Sequence, residues 1–220
     1  MKKFFIVLFV FVCFIFTGCN AKSQNDPVFS LAQKDAVTAS DDNFFVSVIS
    51  GTRENPFVLD GKTTSQEDFT TLTVLPLHFD LFDKNYTFEI IGDKGSYQGE
   101  LAPQKSGSGY VADIKNIQSV GKITEIKIKD QDTVYTFSPE RKIGDFSYLD
   151  AYQKATETFA STLENERKSG TGREIVVKYV SDGKTKDSTF YWYVAFYKSE
   201  NDFLSVLLDG NTGKIIAQRG

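Results

Sequence analysis

The sequence is poor in the residues that build disulfide frameworks and metal sites. Its 220 residues include two cysteines, one histidine, one methionine and one tryptophan. Two cysteines cannot make a disulfide-rich scaffold, and one histidine beside them leaves no Cys/His cluster for a structural zinc ion. The chain also lacks a basic surplus, with 25 Lys and Arg against 29 Asp and Glu. This balance argues against a non-specific nucleic-acid binder, and we expect no nucleic-acid partner.

Aromatic residues, in contrast, are plentiful and unevenly spread. Six of the 20 phenylalanines lie within the first 16 residues. This segment opens with two lysines and then runs apolar from Phe4 to Phe16, apart from Cys13. Such a run rises only about 20 Å as a helix, whereas the hydrocarbon core of a bilayer is about 30 Å thick. The segment is therefore short for a transmembrane helix and typical of the core of a signal peptide.

The apolar segment ends in the run Phe16-Thr17-Gly18-Cys19. This run resembles the lipobox of bacterial lipoproteins, in which small residues precede a cysteine that becomes the lipid-bearing first residue. The resemblance implies that residues 1–18 are a signal peptide and that Cys19 is lipidated. It also implies an extracytoplasmic protein, anchored to the bacterial cell membrane by that lipid. Phe16 departs from the usual aliphatic residue, and an ordinary secretory signal with a chance cysteine is the alternative.

The segment after the lipobox is polar. Residues 19–42 are rich in Asn, Ser, Gln, Asp and Lys, with few large apolar side chains. This composition predicts a flexible tether that holds the folded part away from the membrane. A first strand or helix around residues 29–31 is the alternative.

Residues 43–140 show the twofold alternation of β-strands. In one run, Ile126 and Ile128 alternate with Glu125 and Lys127, as expected of a half-buried strand. Turn signals rich in Gly, Asp and Ser separate the runs. We predict an N-terminal antiparallel β-sandwich here, without a prediction of its strand order.

Residues 145–220 change pattern, from strands to a helix followed by strands. We predict an amphipathic helix over residues 145–168, capped by Asp145 or Ser147, whose apolar stripe packs in the core. That stripe consists of Tyr148, Tyr152, Ala155, Phe159 and Leu163. The run from Phe190 to Tyr197 is apolar or aromatic on both faces, which favours a central strand. The predicted fold is thus mainly β with one helix, a sandwich followed by a small α+β domain.

The C-terminal strands resemble a PepSY domain, over residues 145–220. The resemblance depends on an aromatic strand and on an Asp-x-x-Thr-Gly-Lys-Ile ending. The matching residues are Trp192, Tyr193, Val194, Val206, Asp209, Thr212, Gly213, Lys214 and Ile215. PepSY domains occur in secreted and cell-surface bacterial proteins, including propeptides of thermolysin-like peptidases, where they bind and restrain the enzyme. The resemblance implies a binding role here, although this sequence holds no peptidase domain to be restrained.

The aromatic strand also supplies the candidate binding residues, which are Tyr191, Trp192, Tyr193 and Tyr197. Aromatic side chains are enriched at protein interfaces. We therefore predict a non-catalytic protein-binding module, with a secreted or surface peptidase, or another surface protein, as the candidate partner. The alternative is a structural or adhesion-type lipoprotein whose β-sandwich binds a cell-wall polymer or a host ligand.

Catalytic and metal-binding patterns are weak. His78, the only histidine, lies in a Pro-Leu-His-Phe-Asp run without a nucleophile-elbow motif, so we predict no enzyme. A hydrolase with an unrecognised site is the third hypothesis. The loop from Asp209 to Gly213 has Asp and Asn at alternate positions, as calcium loops do. It lacks the Gly and Glu that an EF-hand requires further on, so we interpret it as a tight turn. We expect no metal and no cofactor.

Overall fold

Strands dominate the computed structural model, which describes residues 27–183 and 188–220. The strands are β1 (Leu31–Ser40), β2 (Phe44–Glu54), β3 (Gln66–Pro76), β4 (Thr87–Gly92), β5 (Ser96–Glu100), β6 (Ala102–Pro103), β7 (Tyr110–Asp113), β8 (Ile123–Lys129), β9 (Val134–Phe137), β10 (Glu140–Arg141), β11 (Glu174–Ser181), β12 (Phe190–Tyr197), β13 (Phe203–Asp209) and β14 (Ile215–Arg219). The α-helices are α1 (Tyr148–Thr158) and α2 (Ala160–Lys168). Two short 3₁₀ helices span Phe79–Leu81 and Ile117–Ser119.

These strands form two sheets. The large sheet has the order β14-β13-β12-β11-β1-β2-β3-β7-β6, and β10 pairs with part of β1. Its strands are antiparallel except β1 and β11, which run parallel. The small sheet is antiparallel, with the order β5-β4-β8-β9. Strand β1 therefore joins the N-terminal strands to the C-terminal ones within a single sheet.

The first hydrophobic core lies between the small sheet and strands β2, β3 and β7 of the large sheet. Along β8, Ile126 and Ile128 are fully buried in this core. Glu125 and Lys127, which alternate with them, form an ion pair of 2.9 Å at the surface. The alternation seen in the sequence is therefore the alternation between core and solvent.

The second core lies between the helices and strands β11 to β13. Ser147 begins α1 as one half of a capping box: its side chain accepts from the Asp150 N–H, and the Asp150 carboxylate accepts from the Ser147 N–H. The predicted helix is divided into α1 and α2 at Phe159, whose backbone angles (φ −107°, ψ 19°) leave the helical region. Ala155 and Phe159 are buried, so the apolar stripe belongs to the core.

An ion network fastens α2 to the strands. The guanidinium of Arg173, a side chain only 6% exposed, makes two bonds to the Glu166 carboxylate at 2.6 and 2.9 Å. Lys198 contacts the same carboxylate at 2.8 Å, and Arg173 also reaches Asp202 at 3.2 Å. Arg173 holds the pKa of Glu166 well below its usual range, at about 2. The network connects the helix to both ends of the β12–β13 turn.

The predicted fold class is confirmed: the protein is mainly β, with a small helical part packed on strands. One core consists mostly of residues from 43–140, and the other mostly of residues from 145–220 together with Phe29, Ala32, Ala36 and Ile143. The large sheet nevertheless runs through both parts without a break, since β1 contributes Ala39 to the first core and Ala32 and Ala36 to the second.

The predicted tether over residues 19–42 is wrong where strand β1 occupies it. This strand pairs with β2 along one edge, and with β11 and then β10 along the other. Its inward-facing side chains are small, with Ala32 fully buried and Ala36 1% exposed. The tether was predicted because residues 19–42 contain few large apolar side chains. Strand β1 does not need them, since its buried apolar side chains are alanines. Residues 19–26 of the predicted tether lie outside the described residues.

Within residues 27–183 and 188–220, no helix combines the length and the apolar character needed to cross a membrane. The predicted signal peptide, residues 1–18, and the predicted lipidation site, Cys19, lie outside the described residues.

Candidate functional site

Strands β11 to β13 have one face covered by the helices and one face without them, and β14 extends this sheet at its edge. Trp192 and Val194 of β12 belong to the helix-covered core. Because side chains alternate along a strand, Tyr191, Tyr193 and Tyr197 lie on the opposite face. Cross-strand register places further residues beside them. We call this surface the tyrosine face; it consists of Tyr191, Tyr193, Tyr197, Lys178, Phe203, Leu207 and Arg219.

Aromatic side chains of the tyrosine face contact one another from Tyr193 through Tyr197 to Phe203. The hydroxyl oxygens of Tyr193 and Tyr197 are 3.4 Å apart, and Ala195 between them is fully buried. The ring of Tyr197 packs on Phe203, with centroids 4.9 Å apart. The guanidinium of Arg219 lies 4.1 Å from the centroid of Phe203. This series of contacts therefore ends in a cation stacked on an aromatic ring, a favourable arrangement.

The Tyr197 hydroxyl stays protonated at neutral pH. Burial raises the pKa of Tyr197, and its hydrogen bond with Tyr193 acts in the same direction. Both side chains are half-buried, so their rings are fixed while part of each remains accessible. The face thus offers hydroxyl donors and acceptors on an apolar platform.

Three of the four predicted binding residues lie on this face, and the fourth does not. Trp192 is fully buried, and its indole N–H donates to the backbone carbonyl of Phe146 at 3.1 Å. The prediction of Trp192 as a surface residue is therefore wrong. The reason is the alternation of the strand, which turns Trp192 away from Tyr191 and Tyr193.

His78 lies apart from this surface, immediately before the first 3₁₀ helix. It is exposed, and in the part of the chain that the structure describes its side chain makes no hydrogen bond. The neighbouring Phe79 is 93% exposed. No Ser–His–Asp arrangement forms around His78 among the described residues.

The loop that resembles the PepSY ending is a tight turn held by Asp209. Its carboxylate accepts from the Thr212 N–H at 2.8 Å, the Thr212 hydroxyl at 2.7 Å and the Asn211 N–H at 3.2 Å. These hydrogen bonds, chiefly those from Thr212, lower the pKa of Asp209. Gly213 adopts a φ of 65°, which favours glycine. Nowhere among the described residues do three His, Cys, Asp or Glu side chains gather as a metal site.

A cleft of about 390 Å³ lies beside strand β1. It lies where the register of β1 against β2 shifts between Gln33 and Asp35. Asp35 and Arg141 form an ion pair of 2.9 Å at its rim. Its lining also includes Val37, Asp68, Phe69, Lys122 and Ile123. Because these residues come from distant parts of the chain, no local motif could have revealed the cleft.

No protein-family model, curated protein or solved structure matches this chain. The resemblances to the lipobox and to the PepSY domain therefore stay predictions.

Proposed function

We propose that this protein is a non-catalytic protein-binding module, held at the outside of the bacterial cell membrane by a lipid on Cys19. The tyrosine face is its binding surface. The observation that carries this proposal is a row of half-buried tyrosines on the helix-free side of the sheet, ending in Arg219 over Phe203. Tyrosine and arginine are enriched among the residues that dominate binding at protein interfaces.

The side chains of the tyrosine face are held in place before a partner binds, and this favours binding. Tyr193 and Tyr197 hold each other through their hydroxyls, and Phe203 supports the ring of Tyr197. Side chains that are fixed before contact lose less conformational entropy when a partner binds. Each ring also presents an apolar body and a polar tip, which suits a surface that must stay in water until the partner arrives.

The proposed partner is a secreted or surface peptidase, as the PepSY resemblance implies. Two cations, Lys178 and Arg219, lie on the face, with the carboxylate of Asp209 adjacent to them. The excess of cations favours a partner surface that carries acidic residues.

Capture from a surface extract tests the proposal. We expect the full chain, purified in mild detergent, to retain one protein reproducibly and to inhibit it if that protein is a peptidase. Tyr193→Ala combined with Tyr197→Ala should reduce capture at least tenfold, because it removes the centre of the face. The control is Val134→Ala, which alters a 55% exposed side chain on the small sheet. Equal capture by the tyrosine variant would contradict the proposed surface.

The anchor is tested separately. A Cys19→Ala variant loses the only thiol of the lipobox-like run, so we expect it to move from the membrane fraction to the soluble fraction. If it stays with the membrane, the lipid anchor is wrong, or the segment from Phe4 to Phe16 stays attached as a span.

The cleft favours a second candidate function, the binding of a cell-wall polymer or a host ligand by the sandwich. Phe69 provides an apolar wall, and Asp68, Lys122 and Arg141 provide hydrogen-bonding groups, the combination found in ligand sites. If this function holds, Phe69→Ala should abolish co-sedimentation with purified cell walls. The double tyrosine variant should leave that co-sedimentation unchanged.

A further inference from the structure

Two buried glutamates lie beneath the loop formed by residues 55–65. Glu54, at the end of β2, is 3% exposed, and Glu174, at the start of β11, is 1% exposed. One oxygen of Glu174 accepts from the N–H groups of Gly61 and Lys62, and one oxygen of Glu54 accepts from the N–H of Thr64. The second oxygen of each carboxylate, Oε2, is buried without a hydrogen-bond partner in the described part of the chain.

The two carboxylates flank one fully buried residue, Ser30. The N–H of Glu54 donates to the Ser30 carbonyl at 2.7 Å, and the N–H of Ser30 donates to the carbonyl of Ile175, next to Glu174, at 2.9 Å. The hydroxyl of Ser30 lies 2.7 Å from the hydroxyl of Thr63 in the overlying loop. The loop residues that bond the two carboxylates, Gly61, Lys62 and Thr64, flank Thr63, so both carboxylates and the pair of hydroxyls lie under one short stretch of the loop.

The charge of this cluster is not balanced by the protein groups that contact it. Among the described residues, neither Glu54 nor Glu174 forms an ion pair with a lysine, arginine or histidine. A buried carboxylate without a counter-charge is costly, and backbone N–H groups offset only part of that cost. Asp60, whose carboxylate shares the Lys62 N–H with Glu174 at 3.1 Å, adds negative charge at the edge of the loop.

We propose that this cluster binds a calcium ion, with Oε2 of Glu54 and Oε2 of Glu174 as its charged ligands. The hydroxyls of Ser30 and Thr63 complete the inner set of oxygens. Two carboxylates match the charge of a divalent cation. Calcium accepts irregular sets of oxygen ligands, whereas magnesium demands near-octahedral geometry and gives up its water reluctantly, so a buried and irregular cluster favours calcium.

The ion fastens the loop to the sheet. The loop carries Phe57 and Val58, which are 42% and 50% exposed. Gly61 packs closely against the backbone carbonyl of Lys198, next to Tyr197 of the tyrosine face. Calcium therefore holds an apolar loop beside that face, and its removal should expose the loop to proteases.

Calorimetric titration of the full chain with calcium chloride, after treatment with EDTA, tests the site. We expect saturable binding with a dissociation constant of about 0.1–1 mM, the range of extracellular calcium modules, and weaker binding of magnesium. Glu54→Gln and Glu174→Gln should each raise the dissociation constant at least tenfold. The control, Glu157→Gln, alters an exposed carboxylate on α1 and should leave the dissociation constant unchanged.

Thr63→Val is a second variant, which keeps both carboxylates. It is used if circular dichroism shows that a glutamine variant does not fold. It should weaken calcium binding at least threefold. Absence of saturable binding by the wild-type chain up to 10 mM calcium overturns the proposal, as does unaltered binding in the double glutamine variant. The wild type could also bind no calcium and melt at a lower temperature than the double glutamine variant. That result would identify the glutamates as buried protonated acids and would also overturn the calcium site.

Discussion

At the scale of the single residue, the stability of the C-terminal part depends on large side chains that carry a polar group. These side chains are buried, and their polar groups form hydrogen bonds or ion pairs. Trp192 fills the core below α1 and donates its indole N–H to Phe146. Arg173 is almost fully buried, and its guanidinium donates hydrogen bonds to Glu166, Asp202 and backbone carbonyls. Such groups are costly to remove, since both packing and hydrogen bonds are lost.

Trp192 and its neighbour Tyr191 should respond very differently to truncation. Trp192→Ala should lower the free energy of unfolding by about 3–5 kcal/mol, because it leaves a cavity in the core. Tyr191→Ala removes a half-buried side chain from the tyrosine face and should cost about 1 kcal/mol. Urea unfolding followed by far-ultraviolet circular dichroism measures both. If the two variants lose the same free energy of unfolding, Trp192 and Tyr191 lie in similar environments. That result would contradict the alternation of buried and surface side chains along β12.

Glu166 should make the free energy of unfolding depend on pH in the acidic range. Its folded pKa of about 2 lies below its ordinary value of 4.5, because Arg173 favours the ionised form. This stabilisation is fully present above pH 4.5 and is lost as the pH falls toward 2. Glu166→Gln should therefore cost about 1–3 kcal/mol at pH 7, and less than half of that at pH 3. Urea midpoints at the two pH values measure the difference, with Glu157→Gln as an exposed control on α1.

At the scale of the element, strand β1 could not be recognised from the sequence alone. Its buried side chains are alanines, and its parallel partner β11 lies about 145 residues further along the chain, at Leu31↔Val176. Strands such as β8 were predictable, because their large apolar residues alternate with charged ones over a few positions. The turn at Asp209 was predictable for a similar reason, since its chemistry is local.

The close approach of β1 and β2 gives a prediction for Gly51. A Cβ atom at this position would lie 1.9 Å from the carbonyl oxygen of Ala32, closer than any real contact. Gly51→Ala should therefore lower the free energy of unfolding by about 2–3 kcal/mol through displacement of the strands. Gly172, which has no atom within 4 Å of its added Cβ, is the matched control. If Gly51→Ala and Gly172→Ala have equal thermal unfolding midpoints, the pairing of β1 with β2 is wrong.

At the scale of the whole molecule, two cores share one sheet. The predicted division into two parts depended on two periodicities, the alternation of strands and then the stripe of a helix. The sequence could not predict their union, nor the cleft and the buried glutamates, because those features assemble from distant segments. The tyrosine face was predictable in part: composition identified the aromatic strand, and only the pairing with β13 and β14 brought Phe203 and Arg219 to it.

The shared strand predicts cooperative unfolding. Because β1 contributes to both cores, the loss of either should expose apolar surface of the other. The single tryptophan lies in the second core, so its fluorescence follows that core, while far-ultraviolet circular dichroism follows all the strands. We expect the two urea transitions to coincide. Two separated transitions would instead indicate independently folding halves.

The binding role of the tyrosine face is tested most directly by photocrosslinking in living cells. A benzoylphenylalanine introduced at Tyr191 lies on the face, whereas one introduced at Val134 lies on the exposed edge of the small sheet. We expect one discrete adduct with a surface or secreted protein from position 191 and none from position 134. Adducts from position 134 alone, or none from position 191, would contradict the assignment of this face as the binding surface.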